Sequence, residues 1–238
     1  MAERLQKIIA ESGLMSRRMA EKAIAEGRVS INGSIAKLGD TAGKEDVVLL
    51  DGKMLPEKES KKYFMLNKPR GYVCTMKDER NRKSVRELLP ESAGRVYPVG
   101  RLDLMSEGLL LMTNDGEFAL HVMHPSGMIL KTYRTTVQGD QLEKRIERLR
   151  QPFVLDGVQV CVKSLHILKQ HEDTAILDIT IGEGRNREIR RICEQAGVRV
   201  NRLVRISEGK LQLGKLPSGH VRELTKDEIA SVMREAKR

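Results

Sequence analysis

Apolar and polar positions follow two different rhythms along this chain. Near the start Leu5, Ile8 and Ile9 recur at helical spacing up to Gly13, which predicts a helix that stops there. Ser16 then offers a side-chain cap for a second helix running toward Gly27, with Ala20, Ala23 and Ile24 as its buried stripe. Beyond it Val29 and Ile31 alternate with polar residues as far as Asn32-Gly33, a pair suited to a two-residue hairpin turn, and Ile35 begins the return strand. The opening unit therefore reads helix, helix, hairpin.

From residue 63 onward the period shortens to two. Alternation predicts strands at Tyr63 to Leu66, Tyr72 to Thr75, Lys131 to Val137, Val158 to Val162 and Ala175 to Ile181. Helices are predicted at Gly116 to His124, Asp140 to Arg150, Arg187 to Gln195 and after Thr225, where Thr225 with Glu228 forms a capping box ahead of the stripe Ile229, Val232, Met233. The economical fold class is α+β, a largely antiparallel sheet with flanking helices.

Charge adds a boundary to this picture. Residues 1 to 39 hold seven basic and four acidic side chains, whereas residues 40 to 60 hold six acidic and three basic and lead into the polar stretch Pro56 to Lys62, which reads as a linker. We expect a small domain over 1–58 and a larger one over 63–238. The whole chain of 238 residues carries 43 Lys+Arg against 33 Asp+Glu, a formal net charge of +10, so a polyanion is the expected partner.

Several classes are disfavoured. The longest apolar runs, such as Val47 to Leu50 and Leu109 to Met112, are far short of a membrane span, and Glu3, Arg4 and Lys7 open the chain without a signal-peptide pattern, so the cytoplasm is the expected compartment. Cys74, Cys161 and Cys193 are odd in number and widely spaced, which fits neither a disulfide framework nor a zinc site; each is expected to be a small buried hydrophobe. His121 and His124 lie three apart with no further ligand near them, so no metal is expected. The phosphate-loop pattern fails between Gly39 and Glu45, and the dinucleotide fingerprint fails at Arg187, so no nucleotide cofactor is expected.

Three groups of residues remain as candidate chemistry. Arg17, Arg18 and Lys22 fall off the apolar stripe of the second helix and Arg28 lies at its end, either as a face for a phosphate backbone or as a merely solvated one. Lys68 and Arg70 sit in a rigid cationic turn, while Arg101 and Asp103 occupy a charged loop that runs into the apolar strand Leu109 to Met112. Arg185, Arg187, Arg190 and Arg191 cluster where a glycine-flexed loop opens a helix; their spacing predicts a shared face for the last three, and free amides at the helix start favour an anion. A solvated basic face is again the plain alternative.

Two resemblances narrow these readings. The run SRRMAEKAIAEGRVSING, followed by AKLGD, resembles the alpha-L RNA-binding module first known from ribosomal small-subunit protein four. The stretches YFMLNKPRGY, GRLDLMSEGLLLMTNDG, KTYRTTV and IGEGRNREIRRICEQAG resemble, in order, the pseudouridine synthases, specifically the branch that modifies ribosomal RNA and carries that module. The resemblance implies that Asp103 is the catalytic aspartate, Tyr133 the active-site tyrosine, and Ile189 with Arg190 the apolar and basic pair beside them. It also implies RNA contacts from Arg17, Arg18, Lys22, Arg28, Lys68, Arg70, Arg101, Arg185 and Arg187, with no cofactor. Met105 and Glu188 depart from the family, which often has a polar or acidic residue and a Gln there.

The implied chemistry suits these residue types. Uridine is cut from its sugar, turned and rejoined through carbon, so a carboxylate is needed as nucleophile at the anomeric carbon or as base toward a glycal-like intermediate. An arginine at contact distance would keep Asp103 ionised and aimed, Tyr133 offers a ring to stack and a hydroxyl to move a proton, and the target base must be flipped out. The stretch GYVCTMKDERNRKSVRELLP looks more like the large-subunit enzymes, so the expected partner is large-subunit ribosomal RNA or a pre-ribosomal particle, bound by a monomer. The alternatives are a small-subunit enzyme or a non-catalytic RNA-binding or assembly factor; intact Asp103 and Tyr133 speak against the latter.

Overall fold

The computed structural model describes residues 2–76, 78–124 and 129–235. The chain divides into two compact units, Met1–Lys61 and Lys62–Arg238.

In the first unit β1 (Glu3–Arg4) leads into α1 (Leu5–Glu11) and α2 (Arg17–Ala25). The Ser16 hydroxyl accepts from the Met19 amide at 3.2 Å, the cap its position predicts, and Ala20, Ala23 and Ile24 bury against Leu5 and Ile9. Strands β2 (Val29–Ile31) and β3 (Ser34–Ile35) form the hairpin, and both turn residues take the positive φ that Asn and Gly tolerate, 49° and 85°. β4 (Thr41–Ala42) pairs with β1, while β5 (Val48–Leu50) and β6 (Lys53–Met54) extend the hairpin to a sheet of order β3-β2-β5-β6.

The second unit is α+β. Its strands are β7 (Tyr63–Lys68), β8 (Tyr97–Val99), β9 (Glu107–Thr113), β10 (Lys131–Gln138), β11 (Phe153–Leu155), β12 (Val158–Val160), β13 (Ser164–Gln170), β14 (Thr174–Ile181), β15 (Arg199–Glu208), β16 (Leu211–Gln212) and β17 (Val221–Glu223). Helices α3 (Gly116–Met123), α4 (Leu142–Leu149), α5 (Glu188–Gln195) and α6 (Lys226–Glu235) flank them. The main sheet runs β13-β14-β10-β15-β9-β7-β17, with β16 added on β15 and β8 on β9.

β9 is buried along its whole length because it carries apolar residues on both faces. Leu110 and Met112 join one core with α4 and α5, whereas Leu109 and Leu111 join the other with α3 and α6. Every pairing in this sheet is antiparallel except β9 with β15, a short joint registered at Glu107 with Val204 and Gly108 with Arg205. Gly108 has φ 102°, and a Cβ there would lie 2.3 Å from the Arg205 carbonyl oxygen, so no other residue fits the joint as built.

Four expectations need correction. Tyr72 to Thr75 is not a strand; Val73 makes an isolated bridge to Ser84, so its alternation belongs to a loop. The strand expected at Val158 to Val162 ends at Val160. Cys161 is exposed and Cys74 half-buried, leaving Cys193 as the buried cysteine. α5 begins at Glu188, one residue late, with Arg187 left-handed at φ 50° as its N-cap. Among the described residues, no helix is long and apolar enough to cross a membrane.

Candidate active site

The loop between Gly100 and β9 is held by its own main chain. Lys68, at the end of β7, is fully buried and its ammonium donates to the carbonyls of Pro69 (3.1 Å), Asp103 (3.1 Å), Leu104 (3.4 Å) and Ser106 (2.7 Å). The Gly71 amide also donates to Leu104 O at 2.9 Å, and Arg190 Nη2 donates to Met105 O at 3.1 Å. Every carbonyl from Asp103 to Ser106 is thus engaged. Burial pulls the Lys68 ammonium below its usual range while Cys74, Asp103 and Glu107 pull the other way. Lys68 therefore holds the loop and is not available to a phosphate, contrary to its expected RNA contact.

Asp103, half-buried, lines a cavity of about 930 Å³ together with Tyr133, Arg187, Ile189, Arg205 and Glu208. Tyr133 comes from β10 at a register shift against β15, which has one extra residue, Ile206, at this point. Burial drives its hydroxyl pKa upward, with Arg205 opposing, so at neutral pH the phenol is protonated. Arg205 sits opposite Tyr133 on β15, only 3 % exposed; its Nε donates to Leu109 O at 2.7 Å and its Nη2 lies 3.3 Å from Glu208 Oε2. Burial works against the Arg205 charge, but Glu208 and Tyr133 outweigh it and raise its pKa. Sequence reading missed this pair, although Arg205 is a charge on the inward period of Leu203.

The four clustered arginines diverge. Arg191 pairs with Asp156 through two bonds of 2.7 and 2.8 Å, while Arg185 pairs with Glu183 at 2.7 Å and, like Arg187, lines the cavity. Arg190 points to the loop carbonyl and to Val200 O at 3.4 Å. Among the described residues no ion pair joins Arg190 to Asp103, so the expected direct contact is corrected to a bond through Met105 O. Burial and Arg187 lower the Arg190 pKa, and the Asp103 charge raises it. In the loop ahead of that helix Glu188 Oε2 accepts from Gly184 N at 2.9 Å and Arg185 N at 2.7 Å, so those two loop amides are not open to an anion.

Two further basic residues are partly neutralised. Arg70 (2.5 Å) and Arg202 (2.9 Å) both pair with Glu107; burial acts to raise that carboxyl, but the two arginines outweigh it and hold it below its usual range. In the first unit Arg28 makes two bonds to Asp51, at 2.8 and 2.6 Å, so it contributes little free charge to the expected basic face. Lys22 lies 3.7 Å from Glu26, and Arg17 and Arg18 are exposed with no partner among the described residues. Arg101 is exposed on the cavity wall.

Residues 62–195 match the RNA pseudouridylate synthase family, and residues 3–48 match the S4 domain. The chain belongs to the pseudouridine synthases. It is 40 % identical over 230 residues to the ribosomal large subunit pseudouridine synthase B of Bacillus subtilis, covering 95 % of this chain and 94 % of that one. An uncharacterized RNA pseudouridine synthase of Aquifex aeolicus is 38 % identical over 237 residues, 98 % of this chain and 95 % of its own. A crystal structure of a pseudouridylate synthase superposes with a TM-score of 0.64 at 30 % identity, covering 96 % of this chain and 99 % of that chain. This pseudouridine synthase thus joins an S4 RNA-binding domain to a catalytic fold.

Proposed function

We propose that this pseudouridine synthase isomerises one uridine of large-subunit ribosomal RNA, with Asp103 and Tyr133 as its reacting and base-contacting groups. The observation that carries this reading is that both residues line one cavity, Asp103 on a fixed loop and Tyr133 on the facing strand. The reaction breaks the bond from N1 of uracil to the sugar, forms a bond from C5 to the same carbon, removes the C5 proton and returns a proton to N1. Atoms and electrons balance without a cofactor.

In this reading the Asp103 carboxylate acts either at the anomeric carbon or as the base that gives a glycal-like intermediate. The Tyr133 ring stacks on the base and its protonated hydroxyl donates a hydrogen bond. Ile189, 3 % exposed, supplies an apolar wall, and Arg190 positions Asp103 by holding the carbonyl two residues later. Arg101, Arg185 and Arg187 at the cavity, with Arg17, Arg18 and Lys22 of the S4 domain, meet phosphates. Extraction of the base costs a few kcal/mol, which such contacts offset. The enzyme acts as a monomer in the cytoplasm. The Bacillus subtilis relative's name supports the large-subunit target.

Pseudouridine mapping across ribosomal RNA from cells with and without the gene tests this reading. One large-subunit site is expected to disappear. Loss of a small-subunit site would overturn the target, and an unchanged map would favour the non-catalytic alternative.

A further inference from the structure

Glu188 lines the cavity yet is only 4 % exposed, and no part of the proposed chemistry uses its carboxylate. A negative charge in a wall that receives a polyanion works against binding by simple repulsion. Its bonds are to the loop ahead of α5. Oε2 accepts from the amides of Gly184 and Arg185 at 2.9 and 2.7 Å, and the Glu188 amide donates to Arg185 O at 3.1 Å. Side chain and main chain together close residues 184–188 into a ring. Arg187 lies within that ring, left-handed at φ 50°, and its side chain makes no cap bond to α5. A residue with a Cβ takes that conformation at a cost and keeps it only where its surroundings hold it. The Arg187 side chain is exposed on the cavity wall, with no ion-pair partner among the described residues.

We propose that Glu188 is a positioning residue for RNA binding, whose carboxylate closes the 184–188 loop and so aims the Arg187 guanidinium at a phosphate. This rests on the reading of Arg187 as a phosphate contact. Reach and charge make opposite demands on the residue: an acceptor long enough to meet both amides is needed, and the charge that comes with it is a liability beside phosphates. One oxygen takes both bonds, so the single carbonyl oxygen of a glutamine can stand in its place. An aspartate, shorter by one methylene, keeps the charge and falls short of hydrogen-bond distance to the two amides.

The test measures binding of the full-length enzyme to a transcript of large-subunit ribosomal RNA over a range of salt concentrations. Glu188→Asp is expected to bind about tenfold more weakly, as loss of one charge-assisted contact implies, and to flatten the log-log salt dependence by roughly 0.7 to 0.9. Glu188→Gln, which keeps the reach and drops the charge, is expected to bind at least as tightly as wild type with the same slope. Arg187→Ala is expected to match Glu188→Asp, and the two combined to bind no more weakly than Arg187→Ala alone, because the carboxylate acts through the arginine. Repulsion alone leaves Glu188→Asp unchanged, and a merely structural role gives losses that add in the combined variant. Either result, with Arg187→Ala weakened, would overturn the positioning role alone, as would a Gln variant as weak as the Asp one. Wild-type binding by Arg187→Ala would overturn the phosphate reading and the proposal with it.

Discussion

Lys68 and Asp103 are joined through the main chain, the buried ammonium donating to the Asp103 carbonyl at 3.1 Å. The charge of Lys68 is used to fix where the aspartate stands. Removing it by Lys68→Met keeps the length and strands Ser106 O and Pro69 O without a donor, at a cost of about 2–4 kcal/mol. The catalytic unit is expected to melt several degrees lower, with turnover falling further than stability alone explains. A variant that melts within about a degree of wild type and turns over normally would show that the loop does not depend on Lys68.

Asp103→Asn keeps size and hydrogen bonding while removing the carboxylate's charge. Turnover, followed by release of tritium from C5 of the target uracil, is expected to fall by about a thousandfold or more, about 4 kcal/mol of barrier. RNA affinity is expected to persist. A rate within about tenfold of wild type would remove Asp103 from the reaction.

Glu107 links stability to pH. Its folded pKa lies below its usual value because Arg202 and Arg70 outweigh burial, so its contribution is fully present above the unfolded pKa and is lost as pH falls through the folded one. Wild type is expected to exceed Glu107→Gln by about 1 kcal/mol at neutral pH, and the two melting curves to converge under acid conditions. A difference that grows on acidification would contradict this sign.

In the S4 domain the arginines differ in availability. Arg17→Ala with Arg18→Ala is expected to flatten the log-log salt dependence of RNA binding by roughly 0.7 to 0.9 for each phosphate no longer neutralised. Arg28→Ala is expected to leave that slope nearly unchanged, since Asp51 already neutralises Arg28. Equal slopes for all variants would take the helix face off the RNA.

The helices, the Asn32-Gly33 hairpin and the buried strand Leu109 to Met112 were legible because each is set by local period and capping. Lys68 was not: a lysine beside proline reads as a surface turn, and only the loop folding over it supplies the carbonyls that bury it. Arg187, Arg190 and Arg191 do not share one face because Arg187 is the left-handed N-cap outside the helix, and Arg190 and Arg191, adjacent within it, point about 100° apart. Arg205 and Glu208 escaped because the strand that carries them has four charged residues among its ten. Their neighbour on the sheet, β9, lies about a hundred residues away, so no local pattern announces it.

The joint at Gly108 gives the enzyme a seam. On one side lie the strands built from residues 63–113, which carry the Asp103 loop; on the other lie those from 131–208, which carry Tyr133. Each block keeps its own antiparallel pairing, and the short parallel contact is where their strands join, reinforced by the bonds of Arg190, Arg202 and Arg205 across it. A side chain at Gly108 would act as a spacer between two intact halves. Asp103 and Tyr133, the two groups proposed to act on the uridine, would then be moved apart, leaving a folded protein whose jaws no longer meet across the base.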